Sequence, residues 1–184
     1  MSLRMETITK NSKEIKELFY NSFPKNEQLP IWFLLWKSKM DFVDFFAFYD
    51  DDIFIGFTYL ISNEDLTLVF YLAIHNKIRS KGYGRKTLAQ IQWKYPNNTI
   101  ILNIEMVDET TNNYEQRVNR EKFYLNNGYR TSNFRLMENG DLYDVLINGR
   151  DVTTEEYYNL FKKFTGNVLF ILFKPKLISI DSKK

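Results

Sequence analysis

The spacing of apolar residues changes along the chain, and each change of period marks an element. Glu6 to Thr9 reads as a short first strand. From Asn11 to Phe23 the residues Ile15, Leu18, Phe19 and Phe23 share one helical face. Asn11 can cap that helix with Glu14 three residues on, and Pro24 stops it. Leu29 to Trp36 is apolar almost all round, as in a buried or groove-forming helix. Phe42 to Tyr49 and Ile53 to Ile61 flank Asp50-Asp51-Asp52 and predict a hairpin. Leu66 to Ile74 is too continuously apolar for an edge and is expected at the centre of a sheet. Gly84 to Tyr95 returns to helical spacing through Leu88, Ile91 and Tyr95, and Pro96 ends it. Ile100 to Met106 alternates as a strand. Tyr114 to Asn126 reads as a helix with Tyr114, Val118 and Leu125 as its apolar stripe, closed by Gly128 in the left-handed region. Tyr129 to Met137 and Leu142 to Ile147 predict a hairpin around Asn139-Gly140. Thr153 and Glu156 form a capping box for a last helix bearing Tyr157, Leu160, Phe161 and Phe164 and ending at Gly166. Val168 to Phe173 is expected to add an edge strand.

This order of strands and helices predicts an α/β fold, a mixed layer with a central sheet. Composition narrows the function classes. The chain of 184 residues is long enough for one domain with a real core, and 44% hydrophobic content argues against disorder. A net charge of +2 argues against broad nucleic-acid or membrane binding. With no cysteine there is no thiolate metal site and no thiol nucleophile. With His75 the lone histidine, a histidine zinc site or a Ser-His-Asp triad is not expected. No stretch has the build of a signal peptide or the length to span a bilayer, so a cytoplasmic protein is expected.

The chemistry concentrates where the apolar run Leu66–Ile74 gives way to a basic, glycine-containing turn and a helix start. The first N–H groups of a helix have no partner inside it, and the macrodipole favours an anion there. Glycine removes the Cβ that would keep a ligand off the backbone. Arg79, Lys81, Arg85 and Lys86 add positive charge. A P-loop is excluded, because Arg85 follows Gly84 and Arg79 stands where its first glycine belongs. A dinucleotide fingerprint is excluded because Thr87 holds the place of its third glycine.

What remains is R-x-x-G-x-G at Arg79, Gly82 and Gly84, which resembles motif A of the GNAT acetyltransferase superfamily, [QR]-x-x-G-x-[GA]. Phe123-Tyr124-Leu125-Asn126-Asn127-Gly128-Tyr129 is similar to the F-Y-x-x-x-G-[FY] segment of motif B in the same superfamily. The resemblance covers about residues 5–147. It implies a GNAT-like acyl-CoA N-acyltransferase fold, with a mostly antiparallel central sheet flanked by helices. Residues 1–150 would form that domain, and 151–184 a helical extension packed on it.

The same resemblance implies an N-acetyltransferase that moves an acetyl group from acetyl-CoA to a primary amine and releases coenzyme A. The pyrophosphate would sit on Arg79, Ser80, Lys81, Gly82, Tyr83, Gly84 and Arg85, and the thioester arm on the backbone of Leu72, Ala73 and Ile74. Tyr124 would protonate the leaving thiolate, and Glu105 would serve as base, directly or through water. Asp108 and Glu109 compete for the base role but read as solvated loop carboxylates. Arg117 and Arg120 depart from the family, which has Asn and a small residue there. They either bind cofactor phosphate or pair with Glu115 and Glu121. Trp32, Phe33 and Trp36 could shape an acceptor pocket or simply pack, and Glu27 could attract a cationic acceptor. The acceptor, a small molecule or a peptide amine, is not readable, and a homodimer is one option that many relatives use. The alternative is a non-catalytic acyl-CoA-binding or regulatory module; an RNA-associated module is weaker still. No metal is expected.

Overall fold

Ser12, rather than Asn11, caps the first helix: its Oγ accepts from the Ile15 N–H at 3.2 Å. Both residue types cap well, so the side chain nearest the first turn decides. The protein is described by a computed structural model covering residues 3–79, 81–138, 140–172 and 174–180. The chain divides into two units. One runs to Ser62 and resumes at Val69–Pro96; the other holds Asn63–Leu68 and the chain from Asn97 onward.

In the first unit, β2 (Val43–Asp50) pairs antiparallel with β1 (Arg4–Thr7) and with β3 (Ile53–Asn63). Strand β4 (Leu66–Ile74) has the bounds that its apolar run predicts, and its part from Val69 onward belongs to this unit. Helix α1 (Lys13–Ser22) buries Ile15, Leu18 and Phe19. The Phe19 ring packs among Phe23, Phe57 and Tyr71, so an aromatic cluster forms this core. Gly56 of β3 is required by a close approach: a Cβ there would stand 2.0 Å from the Ala73 carbonyl oxygen. Helix α2 (Ile31–Lys37) buries Ile31, Leu34 and Lys37 but leaves Trp32 70% and Trp36 50% exposed. It is therefore not the all-round buried helix that its composition suggested. Burial also pushes the Lys37 ammonium below its ordinary value. Helix α3 is Tyr83–Lys94.

In the second unit, β5 (Thr99–Glu105) pairs with β7 (Asp141–Asn148), and β6 (Arg130–Glu138) pairs with both β7 and β8 (Lys176–Ser179), all antiparallel. Gly140 in the β6–β7 turn has φ +90, and its predicted companion Asn139 lies outside the described residues. Helix α4 (Tyr114–Leu125) ends at Gly128, whose φ of +84 is the left-handed cap expected there. Of its predicted apolar stripe, Tyr114 and Val118 are half-buried but Leu125 is exposed, and Arg117, Arg120 and Tyr124 are half-buried as well. Helix α5 (Thr154–Leu172) starts in the predicted capping box: the Thr153 N–H donates to Glu156 Oε2 at 2.8 Å, and the Glu156 N–H donates to Thr153 Oγ1 at 3.2 Å.

Gly166, with φ +78 and ψ 166, ends the first helical stretch of α5 as expected, and a second helical stretch follows it. The helical turn beyond it occupies the segment expected as an edge strand, Val168 to Phe173; Phe173 itself lies outside the described residues. A short, unbroken apolar run carries no period of its own, and tertiary contact decides between strand and helix. Here Phe170 meets the rings of Tyr158 and Phe161, an arrangement open to a helix folded back past the glycine. The added strand is instead β8, behind Pro175. Among the described residues the fold is thus mixed α/β, with eight strands, five helices and predominantly antiparallel pairing.

Candidate active site

Strand β4 delivers the first group of candidate residues. Tyr71 and Ala73 are buried, while Leu72 and Ile74 are half-buried, as alternation along a strand requires. The chain leaves β4 at His75, whose N–H donates to the Ile55 carbonyl at 2.8 Å and whose Nδ1 accepts from the Lys77 N–H at 3.3 Å. His75 thus caps a short 3₁₀ turn, Asn76–Ile78, and has a structural task. Arg79 follows, exposed, with its Nε 3.4 Å from the Ile74 carbonyl. Ser80 lies outside the described residues.

Gly82 is the N-cap of α3, with φ +80 and ψ 1. An L side chain is disfavoured there by its backbone alone, since a Cβ would meet nothing within 4 Å. The first helical bond runs from Lys86 N–H to the Gly82 carbonyl at 3.2 Å. Among the described residues, the amides of Tyr83, Gly84 and Arg85 have no hydrogen-bond partner, and Gly82 has no side chain to cap them. Lys81, Arg85 and Lys86 are exposed around this opening. Tyr83 anchors the turn: its hydroxyl donates to Asp50 Oδ2 at 2.7 Å, which holds the phenol above its ordinary value. Thr87 is fully buried, with its hydroxyl on the Gly84 carbonyl. Three open amides, a glycine without a Cβ and a ring of cations make an anion cradle.

The second unit carries Glu105 and Tyr124. Glu105 lies at the end of β5, and α4 packs against that strand. Arg117 Nη2 donates to Glu105 Oε1 at 3.0 Å, and Arg120 Nη1 donates to Oε2 at 2.8 Å. This replaces the expected pairing of the two arginines with Glu115 and Glu121: neighbours on an exposed helix compete poorly with a half-buried carboxylate on the adjacent strand. Arg117 also donates Nε to Asn113 and Nη1 to the Met106 carbonyl, so its fork is spent on structure. Arg120 makes the Glu105 bond alone among the described residues. Asp108 accepts from the Thr110 N–H and hydroxyl, which hold it below its ordinary value in a self-contained turn.

Tyr124 is half-buried, and burial raises its phenol above the ordinary value while Arg120 opposes the shift. It therefore stays a neutral phenol at neutral pH. Its ring meets those of Phe123 and Tyr129 edge-on, at 5.1 and 5.6 Å between centroids. Sequence spacing placed Tyr124 beside the arginines but gave no sign of the Glu105 bridge, since no local rule links residues on different elements.

Comparisons with known proteins bear on both groups. Residues 41–131 match the family model of an acetyltransferase (GNAT) domain, a span that includes both motifs. Among curated proteins no sequence matches the chain. A structure from Bacteroides thetaiotaomicron, described as an acetyltransferase from the GNAT family, superposes with TM-score 0.68 at 21% identity, covering 94% of this chain and 99% of that one. A Bacillus subtilis acetyltransferase in complex with CoA gives TM-score 0.57 at 14% identity, over 83% of this chain and all of the other. The ribosomal-protein-S18-alanine N-acetyltransferase from Escherichia coli gives 0.58 at 11%, over 83% of this chain and 97% of the other. At these identities the likeness is one of fold.

Proposed function

From a chain that carries a GNAT acetyltransferase domain, we propose an N-acetyltransferase that takes the acetyl group of acetyl-CoA and passes it to a primary amine. The observation that carries this reading is the turn at Gly82: a left-handed N-cap, three open amides and surrounding cations, within the span that matches the domain. In this reading the diphosphate of the cofactor is held by Arg79 to Arg85, with Ser80 among them. The arm runs along Leu72, Ala73 and Ile74. The B. subtilis relative, bound to CoA, supports the cofactor class.

The neutral amine attacks the thioester carbonyl carbon. A C–N bond forms, the C–S bond breaks, the thiolate takes the Tyr124 proton, the acylated nitrogen sheds a proton to water, and water returns one to Tyr124. Much of the rate comes from holding the two substrates together. An amine of ordinary pKa must first lose a proton. The resemblance offers Glu105 for that task. Its two oxygens are each held by a guanidinium, which favours a second role: fixing Arg117 and Arg120 on α4. Loss of the proton to water then suffices.

Calorimetric titration with acetyl-CoA tests the cofactor assignment, and absence of binding at hundreds of micromolar overturns it. Thiol release with a panel of amines and peptides separates an enzyme from a module that only binds acyl-CoA. Tyr124→Phe is expected to lower turnover far more than cofactor affinity; unchanged turnover removes Tyr124 from the mechanism.

A further inference from the structure

His75 is the lone histidine of the chain, and it has two neighbourhoods. Toward the chain it is a cap. Its Nδ1 accepts from the Lys77 N–H at 3.3 Å, and its carbonyl accepts from the Ile78 N–H at 3.1 Å. These bonds close the 3₁₀ turn Asn76–Ile78. Arg79 comes next and is tied to the same bend: its N–H donates to the Asn76 carbonyl and its Nε to the Ile74 carbonyl, both at 3.4 Å. Gly82, the left-handed start of α3, stands three residues further on. The imidazole thus fixes the backbone that leads into the anion cradle.

Away from the chain, His75 lines a cavity of about 440 Å³. Glu14 and Glu17 of α1 and Asp52 of the β2–β3 turn also line it, with Lys77 from the segment of His75 itself. Glu17 meets Lys13 at 3.8 Å and Asp52 meets Arg4 at 3.9 Å, both as loose, exposed pairs. Three carboxylates against one ammonium leave the lining net negative.

We propose that His75 is a positioning residue for the cofactor turn and holds it only as the neutral imidazole, so that a proton on this ring weakens acetyl-CoA binding. This rests on the cofactor assignment made above. An Nδ1 that accepts a hydrogen bond uses its lone pair, so the neutral ring keeps its proton on Nε2. Protonation puts hydrogens on both nitrogens. Nδ1–H then confronts the Lys77 N–H, donor against donor, and the cap is lost. The charged ring gains instead by turning into the acidic cavity, which offers space and opposite charge. The 3₁₀ turn loosens, and Arg79 and the amides that follow Gly82 lose their fixed place. Proton and cofactor therefore oppose each other without sharing an atom, and linkage makes the opposition mutual. Histidine is the side chain that changes charge between about pH 5 and 8, which sets the range in which the effect is read.

Nuclear magnetic resonance of the untagged full chain reads the cap directly, because a single histidine gives ring signals that need no assignment. The neutral form should be the Nε2–H tautomer, and the Lys77 amide signal should move as the ring titrates. An Nδ1–H tautomer, or a Lys77 amide indifferent to the titration, overturns the inference whether or not the cofactor binds. Acetyl-CoA affinity is then measured by calorimetry from about pH 5 to 8 for wild type, His75→Asn and His75→Leu. His75→Asn keeps a side-chain acceptor for the N–H two residues on, and that acceptor does not titrate. His75→Leu has no acceptor. The phosphates of the ligand titrate alike against all three proteins, so the ratios between proteins carry the result. At the alkaline end His75→Asn should rescue the wild-type affinity, and His75→Leu should bind about ten-fold more weakly. Toward the acid end wild type should fall to the level of His75→Leu, while His75→Asn stays above both. A constant ratio of wild type to His75→Asn, or wild-type affinity in His75→Leu at the alkaline end, overturns the positioning role and leaves the cofactor assignment standing. No binding by any of the three at any pH overturns the cofactor assignment, and the inference with it.

Discussion

Arg120 reaches from α4 to Glu105 at the end of β5, Nη1 to Oε2 at 2.8 Å, while Arg117, one turn earlier, takes the other carboxylate oxygen at 3.0 Å. The carboxylate thus bridges two cations on a neighbouring element. Arg117 and Glu105 are well shielded, at 15% and 22% side-chain exposure, so the bridge is screened less than a surface pair.

Removing Glu105 therefore leaves two guanidiniums without their shared partner. Glu105→Gln should cost about 2 kcal/mol in urea unfolding. Arg117→Met should cost more than Arg120→Met, because Arg117 also loses Asn113 and the Met106 carbonyl. The same Glu105→Gln variant separates clamp from base. A clamp leaves the acid limb of the kcat/KM profile in place, and disappearance of that limb would return Glu105 to the base role.

Two glycines of the first unit should respond differently to alanine. At Gly82 the space is open and the cost is backbone strain, about 1–2 kcal/mol, so Gly82→Ala should fold. Its acetyl-CoA affinity should fall about ten-fold, because the amides it presents are turned away. At Gly56 the new Cβ would meet a carbonyl oxygen at 2.0 Å, and Gly56→Ala should lose about 3 kcal/mol or more. Calorimetry and thermal melting of both variants, side by side, check the contrast.

The start of α5 predicts a pH dependence. Arg150 donates to Glu156 and to both oxygens of Asp65. Glu156 is pushed down to about 2 from its ordinary 4.5, first by Arg150 and then by the Thr153 N–H. The folded value lies below the unfolded one, so this stabilisation is present above pH 4.5 and is lost as pH falls toward 2. Glu156→Gln should be less stable than wild type at neutral pH, and the gap should close between pH 4.5 and 2. Urea midpoints measured across that range give the answer. Thr153→Ala, which removes the other half of the box, should cost about 1 kcal/mol at neutral pH.

Among the described residues the Tyr129 hydroxyl is buried without a partner, which is a standing penalty in the folded state. Tyr129→Phe keeps the ring and removes the penalty, so it should gain about 1 kcal/mol. A loss of stability would mean that the hydroxyl has a bond after all, and urea unfolding reads either sign.

Much of what depends on residues close in the chain was legible in advance, although the cap of α1 fell on Ser12 instead of Asn11. The Thr153–Glu156 box, the left-handed Gly128 and the bounds of β4 all follow from side chains within a few positions of one another. The glycine turn was legible for the same reason, since a left-handed N-cap at a helix start is a local object. Segment 168–173 was not, because a short apolar run has no period to read. Neither was the exposure of Trp32 and Trp36: composition says that a residue is apolar, not whether a neighbour arrives to cover it.

By itself, then, the sequence determined the order of elements up to the last helix and the glycine turn that starts α3, because backbone propensity, capping and glycine conformation act over a turn or two. Only the tertiary structure decided that Arg117 and Arg120 close on Glu105 rather than on their helical neighbours, and that the Tyr129 hydroxyl is buried with no partner among the described residues. Those outcomes depend on which surfaces exclude water when separate elements pack, and burial of that kind is a property of the assembled fold.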